Sequence, residues 1–486
     1  MEKRFDVAII GAGISGIAAA HHLKAQCPDK TFIVIEKKPT FGGTWHTFTY
    51  PGIRSDSDLY TFGYRFKPWT GEPVAEGHEI LQYMSEVVEE DQLETHIRYG
   101  HNVTKHAWSS EDKCWTISTT RLDDKKEVLF ETGFLFMCNG YFDHEQGYTP
   151  DFEGMNSFNG EIIHPQNWPE NFDYTGKKII VIGSGATAVT LVPNLADKAG
   201  HVTMLQRSPT YFRTQANKNE LADKLRRLDV PEEWIHEIVR RQILADAEPF
   251  EKEIFNNPEQ VKREMVENIR DQVGDACDVD RHFTPRYLPW RQRIVYLPDG
   301  DLLKCIKSGA VSVVTDEVGH FAIDGIETKS GEFIPADIVI TATGFNMSGG
   351  GIAWEFDGKP FNFSTSYTWR GMMYSGVPNV VNVFGYLRTS WTMRVELICD
   401  LVCRLLNHMT HNKFDVCTPK LRTQDQNMET RPWVDPDNFS PGYIMRAIGS
   451  FPMQGAYLPW ESSKSYYLDR DVFPAESFDD GSLSFD

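Results

Sequence analysis

Short apolar runs alternate along the chain with stretches whose apolar residues recur at helical spacing. Phe5 to Ile10 is a short apolar strand pattern of the kind buried on both faces, and Ile17 to Ala25 reads as the helix after it. Thr31 to Ile35 predicts a second strand, His78 to Glu90 an amphipathic helix, and Trp108, Trp115 and Ile117 the alternation of a hairpin. Phe134 to Cys138 is a further strand ending at Asn139-Gly140, and the polar stretch 143–154, with Pro150 and its glycines, reads as a linker. Strands are then predicted at Lys178 to Ile182, Val202 to Leu205, Val311 to Val314, Ile338 to Thr341 and Val380 to Phe384. Between them, 215–275 is rich in Glu, Lys, Arg and Gln with Trp234, Ile238, Ile243 and Leu244 at helical spacing. This predicts a helical insertion with a solvated charged face, placed as a cover over the active site. Ser390 is the expected N-cap of a long helix running to about His408, and the acidic, Ser-rich tail after Pro474 is expected to fray. Strands alternating with helices specify an α/β fold built on parallel sheets.

Two strand–turn–helix junctions carry glycine patterns. Gly11-Ala12-Gly13-Ile14-Ser15-Gly16 is G-x-G-x-x-G in the setting that binds a dinucleotide. Gly11 permits the tight turn, Gly13 lets backbone N–H groups approach a pyrophosphate at the helix N-terminus, and Gly16 allows helix and strand to pack closely. Glu36 ends the second strand, where an acid binds the ribose hydroxyls of FAD or NAD. The second junction, Gly183-Ser184-Gly185-Ala186-Thr187-Ala188-Val189, has Ala in the third small position. Its partner strand runs into Gln206-Arg207-Ser208 without an acid, so Arg207 would attract a 2′-phosphate and select NADPH. Gly42-Gly43-Thr44-Trp45 and Tyr50-Pro51-Gly52 form a loop suited to close approach of a ligand, which leads to Arg54-Ser55-Asp56. The small-residue turn Ala342-Thr343-Gly344-Phe345 suggests another such crossing, and the long helix after Ser390 could aim its positive end at a reduced flavin ring.

Composition narrows the function. With 69 acidic against 49 basic residues the formal charge is −20, which disfavours nucleic acid and anionic lipid as partners. The eight cysteines form no C-x-x-C or C-x4-C pair, and Cys399 and Cys403 are expected to be core thiols, so the usage fits a reducing cytoplasm. Lys3 and Arg4 precede an apolar stretch, but Asp6 and the pair His21-His22 interrupt it, and neither a signal peptide nor an integral membrane segment is predicted. There is no metal-ligand spacing of His and Cys and no G-x-S-x-G. His46 and His164 are the histidines that fall within patterned stretches.

Two junctions with opposite ribose preferences imply a hydride relay from NADPH to a flavin. Between them lies F-x-G-x-x-x-H-x-x-x-W-P, matched by Phe158, Gly160, His164, Trp168 and Pro169, which resembles the sequence motif of the Baeyer–Villiger monooxygenases. Related heteroatom-oxidising enzymes usually carry Tyr or Phe where Trp168 stands. Gly42, Gly43, Trp45, Tyr50, Pro51, Gly52 and Asp56 match the family's second motif, and the runs 50–58, 182–189 and 204–211 are similar to its ethionamide-activating subgroup.

The resemblance implies FAD and NADPH as cofactors, O2 as co-substrate, and a ketone or thioether as substrate. In that family a peroxyflavin at C4a inserts oxygen beside a ketone carbonyl to give an ester or lactone, with sulfoxidation as a side activity. It also implies a catalytic Arg beside the flavin, held by Asp56. Arg293 fits by its place in the family alignment, although the residues themselves do not separate it from Arg286 or Arg291. Ser15, Glu36, Thr44, Trp45, His46, Thr47 and the Val103 backbone would line FAD. Arg54, Ser55, the segment Gly183 to Val189, Arg207 and Ser208 would meet NADPH. Gly160 and Trp168 would pack at the junction of the two domains, with His164 as a hinge.

The expected architecture is two Rossmann-like dinucleotide-binding domains with a helical insertion. Residues 1–144 and 345–486 form the FAD-binding domain, 155–210 and 293–344 the NADPH-binding domain, and 211–292 the insertion. The substrate pocket would depend on that insertion and on loops near 385–395 and 455–465. The competing readings are a monooxygenase of sulfur or nitrogen, and an NADPH-sensing flavin-binding protein without oxygenation. The oligomeric state is open.

Overall fold

A computed structural model describes residues 4–347, 352–462 and 465–486; Lys3 and the last part of the 455–465 loop lie outside the described residues. Two sheets organise the chain. The first is nine-stranded, in the order Lys359–Pro360, Ala353–Phe356, His101–Ser109, Cys114–Arg121, Glu127–Met137, Phe5–Ile10, Phe32–Ile35, Ile97–Arg98, with Val380–Asn382 also on Glu127–Met137. Its long strand serves two patterns. The first half of Glu127–Met137 runs antiparallel to Cys114–Arg121, and the second half lies parallel to Phe5–Ile10 and to Val380–Asn382. The helix Ile14–Gln26 packs on this sheet through Ile17, Ala18, Ala19, Ala20 and Leu23, all fully buried, and against the long helix Trp391–Asn412.

The second sheet is wholly parallel, in the order Val311–Thr315, His201–Gln206, Lys178–Ile182, Ile338–Thr341, Glu161–Ile163. Its central strands are near-continuous Ile and Val because helices or loops cover both faces. The two sheets are joined by an antiparallel ribbon, Phe142–Gly147 against Phe345–Met347. The expected linker 143–154 therefore begins as a strand, because Phe142 packs on Phe345 with ring centroids 4.3 Å apart.

Three further expectations are corrected. The insertion is helical, as Glu220–Arg226, Glu232–Asn256 and Pro258–Val273, but Trp234 and Ile238 face outward, at 64% and 38% exposure. Ile235 and Val239, one position on in each case, take the core face, and the charges are not all solvated, since Arg240 is buried. The tail is ordered: Leu483–Phe485 pairs with Cys417–Pro419, and Ser482 is buried, its hydroxyl accepting from Trp369 Nε1. Ser390 stands at the N-cap of Trp391–Asn412, but its hydroxyl bonds Thr61 Oγ1 at 2.7 Å rather than capping the helix. Cys399 and Cys403 are core residues, and all eight cysteines are free thiols.

Candidate active site

Both glycine junctions face one cavity of about 1380 Å³. Their first glycines solve the same packing problem. Gly11, at φ +101°, lies where a Cβ would stand 2.7 Å from the Cys138 carbonyl oxygen. Gly183, at φ +140°, would set a Cβ 2.3 Å from that of Ala342. Each can only be glycine, since both the backbone angle and the neighbouring strand exclude a side chain. Gly16 is held as tightly: a Cβ there would fall 1.9 Å from the Gly11 carbonyl oxygen.

On the first junction, Gly11, Gly13, Ser15 and Glu36 line the cavity, with Thr44, Trp45 and Val103. Glu36 is buried; one carboxylate oxygen accepts from Ala12 N–H at 2.7 Å and the other from Lys38 N–H at 2.8 Å. The Ser15 hydroxyl accepts from Trp391 Nε1 at 2.9 Å, which ties the glycine loop to the N-terminus of the long helix. His46 and Thr47 do not line the cavity. Thr47 turns back to donate to the Gly43 carbonyl, because both residues lie on the far side of the one-turn helix Thr44–Thr47.

On the second junction, Gly185, Ala186 and Thr187 line the cavity, and a Cβ on Gly185 would meet nothing within 4 Å. Gly183 stands behind them. Ser184 points away, bonding Thr210 and the Ser208 carbonyl. Ala188 and Val189 are fully buried core residues, not ligand contacts, because they sit on the face of helix Ala186–Ala196 that packs on the sheet. Arg207 and Ser208 are exposed outside the cavity lining, and the Arg207 side chain has no hydrogen bond or ion pair among the described residues. Arg54 and Ser55 line the cavity from the first unit. Arg54 Nη1 donates to Asp301 at 2.6 Å, while its Nη2 is buried without a hydrogen-bond partner among the described residues.

Asp56 and Arg293 are brought together, with Nη1 to Oδ2 at 3.6 Å, and both line the cavity. Arg286 is exposed and Arg291 lies outside the lining, so position distinguishes the three arginines. Arg293 Nη2 donates to Tyr141 Oη at 3.1 Å and Nε to Tyr443 Oη at 3.3 Å. Burial works against the guanidinium charge, but Tyr443, Tyr141 and Asp56 outweigh it and raise the pKa well above its usual value. Three imidazoles go the other way. Burial lowers His46 and His164, and brings His144 down to about 4, so these rings are neutral near pH 7.

The F-x-G-x-x-x-H motif spans the second sheet from end to end. Gly160 precedes the edge strand Glu161–Ile163 at the end remote from the cavity, where a Cβ would lie 2.2 Å from the Asp337 carbonyl oxygen. Phe158 is buried beside Phe321, and Trp168 packs edge-on against Phe172 and Tyr174. Gly160 therefore lies away from the junction of the sheets, while Trp168 packs against a core cluster that holds Phe48 and Tyr50 of the first unit beside residues of the second. His164 sits between the sheets: its Nε2 donates to the Gly344 carbonyl at 3.2 Å and its Nδ1 accepts from Gln166 N–H at 3.2 Å, which defines the neutral tautomer. Gly147, on the connecting ribbon, leaves room for the ring, since a Cβ there would fall 2.0 Å from it.

Tyr141, Tyr443 and Asp301 were not anticipated at the site. Tyr141 follows the strand that ends at Asn139-Gly140, and strand ends are where α/β folds carry ligands, so that signal was available. Tyr443 lies on the short helix Gly442–Ala447, which has no such mark. Of the insertion 211–292 only its last residue, Gln292, lines the cavity, and the helix Glu232–Asn256 packs on Leu59–Phe62. Of the two loops expected at the pocket, Tyr386, Thr389 and Trp391 reach it, while the second contribution comes from 441–452 rather than from the described residues of 455–465.

Residues 8–225 match a family model described as pyridine nucleotide-disulphide oxidoreductase. Over 489 residues the chain is 42% identical to the FAD-containing monooxygenase EthA of Mycobacterium tuberculosis, covering 100% of this chain and 98% of the relative. The chain belongs to the FAD-containing monooxygenases. A probable FAD-binding monooxygenase, AlmA, of an Acinetobacter species is 43% identical, covering 100% and 97% of the two chains. The fold of this monooxygenase is that of a steroid monooxygenase solved with NADP, at TM-score 0.75 and 21% identity over 99% of each chain. It is equally that of a cyclohexanone monooxygenase from Rhodococcus sp. Phi1 bound to NADP+, at TM-score 0.74 and 21% identity over 100% and 99% of the chains. The first junction fits FAD by its own geometry: Gly13 and Gly43 face each other with no side chain between them, a Cβ on Gly43 lying 3.0 Å from Gly13 Cα, and Glu36 closes the loop beside them. Among the described residues no helix is long and apolar enough to cross a membrane.

Proposed function

We propose that this monooxygenase is of the Baeyer–Villiger type: using NADPH and O2, it inserts one oxygen atom beside a ketone carbonyl to give an ester or lactone, with thioether sulfoxidation as a side activity. The observation that carries the reading is Arg293 in the cavity wall with Asp56 at 3.6 Å, between the two glycine junctions. FAD, when bound, supplies the oxygen chemistry. Gly11, Gly13, Ser15 and Glu36 would hold it. Gly185, Ala186, Thr187 and Arg54 would hold NADPH along the cavity, Arg54 Nη2 offering a donor to its phosphates. Arg207, exposed beyond the cavity edge, would take the 2′-phosphate. We keep the division into an FAD-binding unit of 1–144 and 345–486, an NADPH-binding unit of 155–210 and 293–344, and an insertion of 211–292; the sheet membership supports it.

The residues have separable tasks. Arg293 presents a permanent positive charge and N–H donors where negative charge collects on the reacting oxygen, an arrangement most effective in an enclosed site. Asp56 holds that guanidinium on this side of the cavity by charge, without fixing its plane. The apolar walls, including Phe142, Phe345, Phe384 and Trp391, exclude water. His164 couples the second sheet to the connecting ribbon through the Gly344 carbonyl and takes no proton in the reaction. Eight free thiols suit a reducing compartment, and we place the enzyme in the cytoplasm. The test is ketone-stimulated NADPH oxidation across linear, cyclic and aryl ketones and thioethers, with the product identified. Ester or lactone formation that is lost in Arg293→Ala supports the reading. Oxidation of thioethers alone, with every ketone inert, overturns the Baeyer–Villiger assignment.

A further inference from the structure

We infer that Tyr141 and Tyr443 are positioning residues that fix the Arg293 guanidinium by a two-point hydroxyl clamp; this rests on the role proposed for Arg293. A guanidinium has two useful edges, a side edge of Nε and one Nη, and an end edge of the two Nη nitrogens. Tyr443 accepts from Nε at 3.3 Å and Tyr141 from Nη2 at 3.1 Å, so the phenols occupy the side edge together. Among the described residues the end edge meets Asp56 alone, at 3.6 Å, and Asp56 has about half of its side chain exposed. One long contact to a solvated carboxylate cannot set the plane of a guanidinium; two hydrogen bonds from adjacent nitrogens can. Neutral phenols also accept without cancelling the charge, which a second carboxylate would do.

The clamp arms stand on separate pieces of chain, each anchored. The Tyr141 ring lies parallel to Trp391, with centroids 5.1 Å apart and planes at 17°, and Trp391 is itself bonded to Ser15 on the first glycine loop. Tyr443 belongs to a helix pinned by Arg446, which donates to the Phe345 carbonyl at 2.8 Å and lies 3.6 Å over the Tyr148 ring. Arg293 itself directly precedes the strand Ile294–Pro298. The clamp therefore registers a cation from one unit against the glycine loop of the other.

The experiment is a cycle of Tyr141→Phe, Tyr443→Phe, their double, and the same three changes in an Arg293→Lys background, measured as product formed and NADPH consumed under ketone saturation. FAD content and melting temperature serve as controls. Each phenylalanine variant should lose roughly tenfold in product turnover with FAD content unchanged, the double more, and product per NADPH should fall. In the Arg293→Lys enzyme, which lacks the fork, the tyrosine changes should add less than twofold. Equal losses in both backgrounds, or full turnover in the double variant, overturn the clamp. If Arg293→Lys alone leaves turnover intact, the role of Arg293 fails instead, and the two failures are distinguishable.

Discussion

Removing Arg240 tests how the insertion is held to the rest of the molecule. The helix Glu232–Asn256 carries Arg240 to 4% side-chain exposure, where Nη2 meets Glu396 at 2.9 Å. Nη1 donates to the carbonyls of Tyr60, Thr61 and Gly63 at 3.1, 3.2 and 3.2 Å, which are end groups of the one-turn helix Leu59–Phe62 that no intrahelical N–H satisfies. Arg240→Ala thus removes the cation paired with a buried carboxylate and a donor from three carbonyls, leaving Glu396 the Arg65 N–H and the Thr61 carbonyl the Thr392 hydroxyl. A buried pair broken from one side costs about 3–5 kcal/mol. Urea unfolding followed by tryptophan and flavin fluorescence should show a loss of that order. The double variant Arg240→Ala/Glu396→Ala should lose less than the sum of its singles by more than about 1 kcal/mol. The pH dependence has a definite sign. Burial raises the Glu396 pKa although Arg240 pulls it down, so the folded state binds the extra proton and stability falls as pH rises through the folded pKa. Without Arg240 the rise is larger, so the variant's deficit should be greater at pH 8 than at pH 5. A loss below about 1 kcal/mol, or a deficit that shrinks with rising pH, would refute the reasoning.

The remaining predictions are as follows. Burial pushes the Asp58 carboxyl up to about 7 against the N–H donated by Tyr60, so its stabilising protonation is present at low pH and lost as pH rises through 7; Asp58→Asn should flatten the fall of the urea midpoint between pH 5 and 8. Gly16→Ala forces a Cβ to 1.9 Å from the Gly11 carbonyl oxygen, so the purified protein should carry little FAD by visible absorbance, and normal flavin content would contradict the packing argument. Arg207→Ala should raise KM for NADPH by roughly tenfold or more, as expected for a lost charged hydrogen bond, with kcat and KM for NADH little changed. His164→Ala should slow turnover by roughly tenfold through its two lost hydrogen bonds while FAD stays bound; loss of FAD on purification would count against a coupling role.

What the sequence made legible followed from how local each constraint is. The strands Phe5–Ile10 and Lys178–Ile182 were readable to the residue because a doubly buried parallel strand leaves a dense apolar run, Val7 to Ile10 and Ile179 to Ile182 here. Asp56 was readable as a motif position, but its meeting with Arg293, 237 positions away, depends on how the two units pack, which no periodicity encodes. The insertion's face was misjudged by one residue: Trp234 and Ile238 have the same spacing as Ile235 and Val239, and hydrophobicity cannot decide between adjacent stripes when Arg240 and His236 are buried with the second. The tail looked dispensable from its acids and serines, yet its ladder with Cys417–Pro419 is made by backbone, to which composition is blind. Tyr443 was invisible because its importance comes from an arginine 150 positions earlier.

The interleaving of the two sheets also fixes an order of events on the ribosome. All five strands of the parallel sheet emerge by Thr341, whereas the nine-stranded sheet, begun at Phe5, still awaits Ala353–Phe356, Lys359–Pro360 and Val380–Asn382. The unit that is started first is finished last. Until then Glu127–Met137 and His101–Ser109 keep open edges of backbone donors and acceptors in a growing chain, the condition under which nascent proteins mispair. Yield in a cell should therefore respond to translation speed after residue 341 and to chaperone supply more than to the intrinsic stability of the finished molecule.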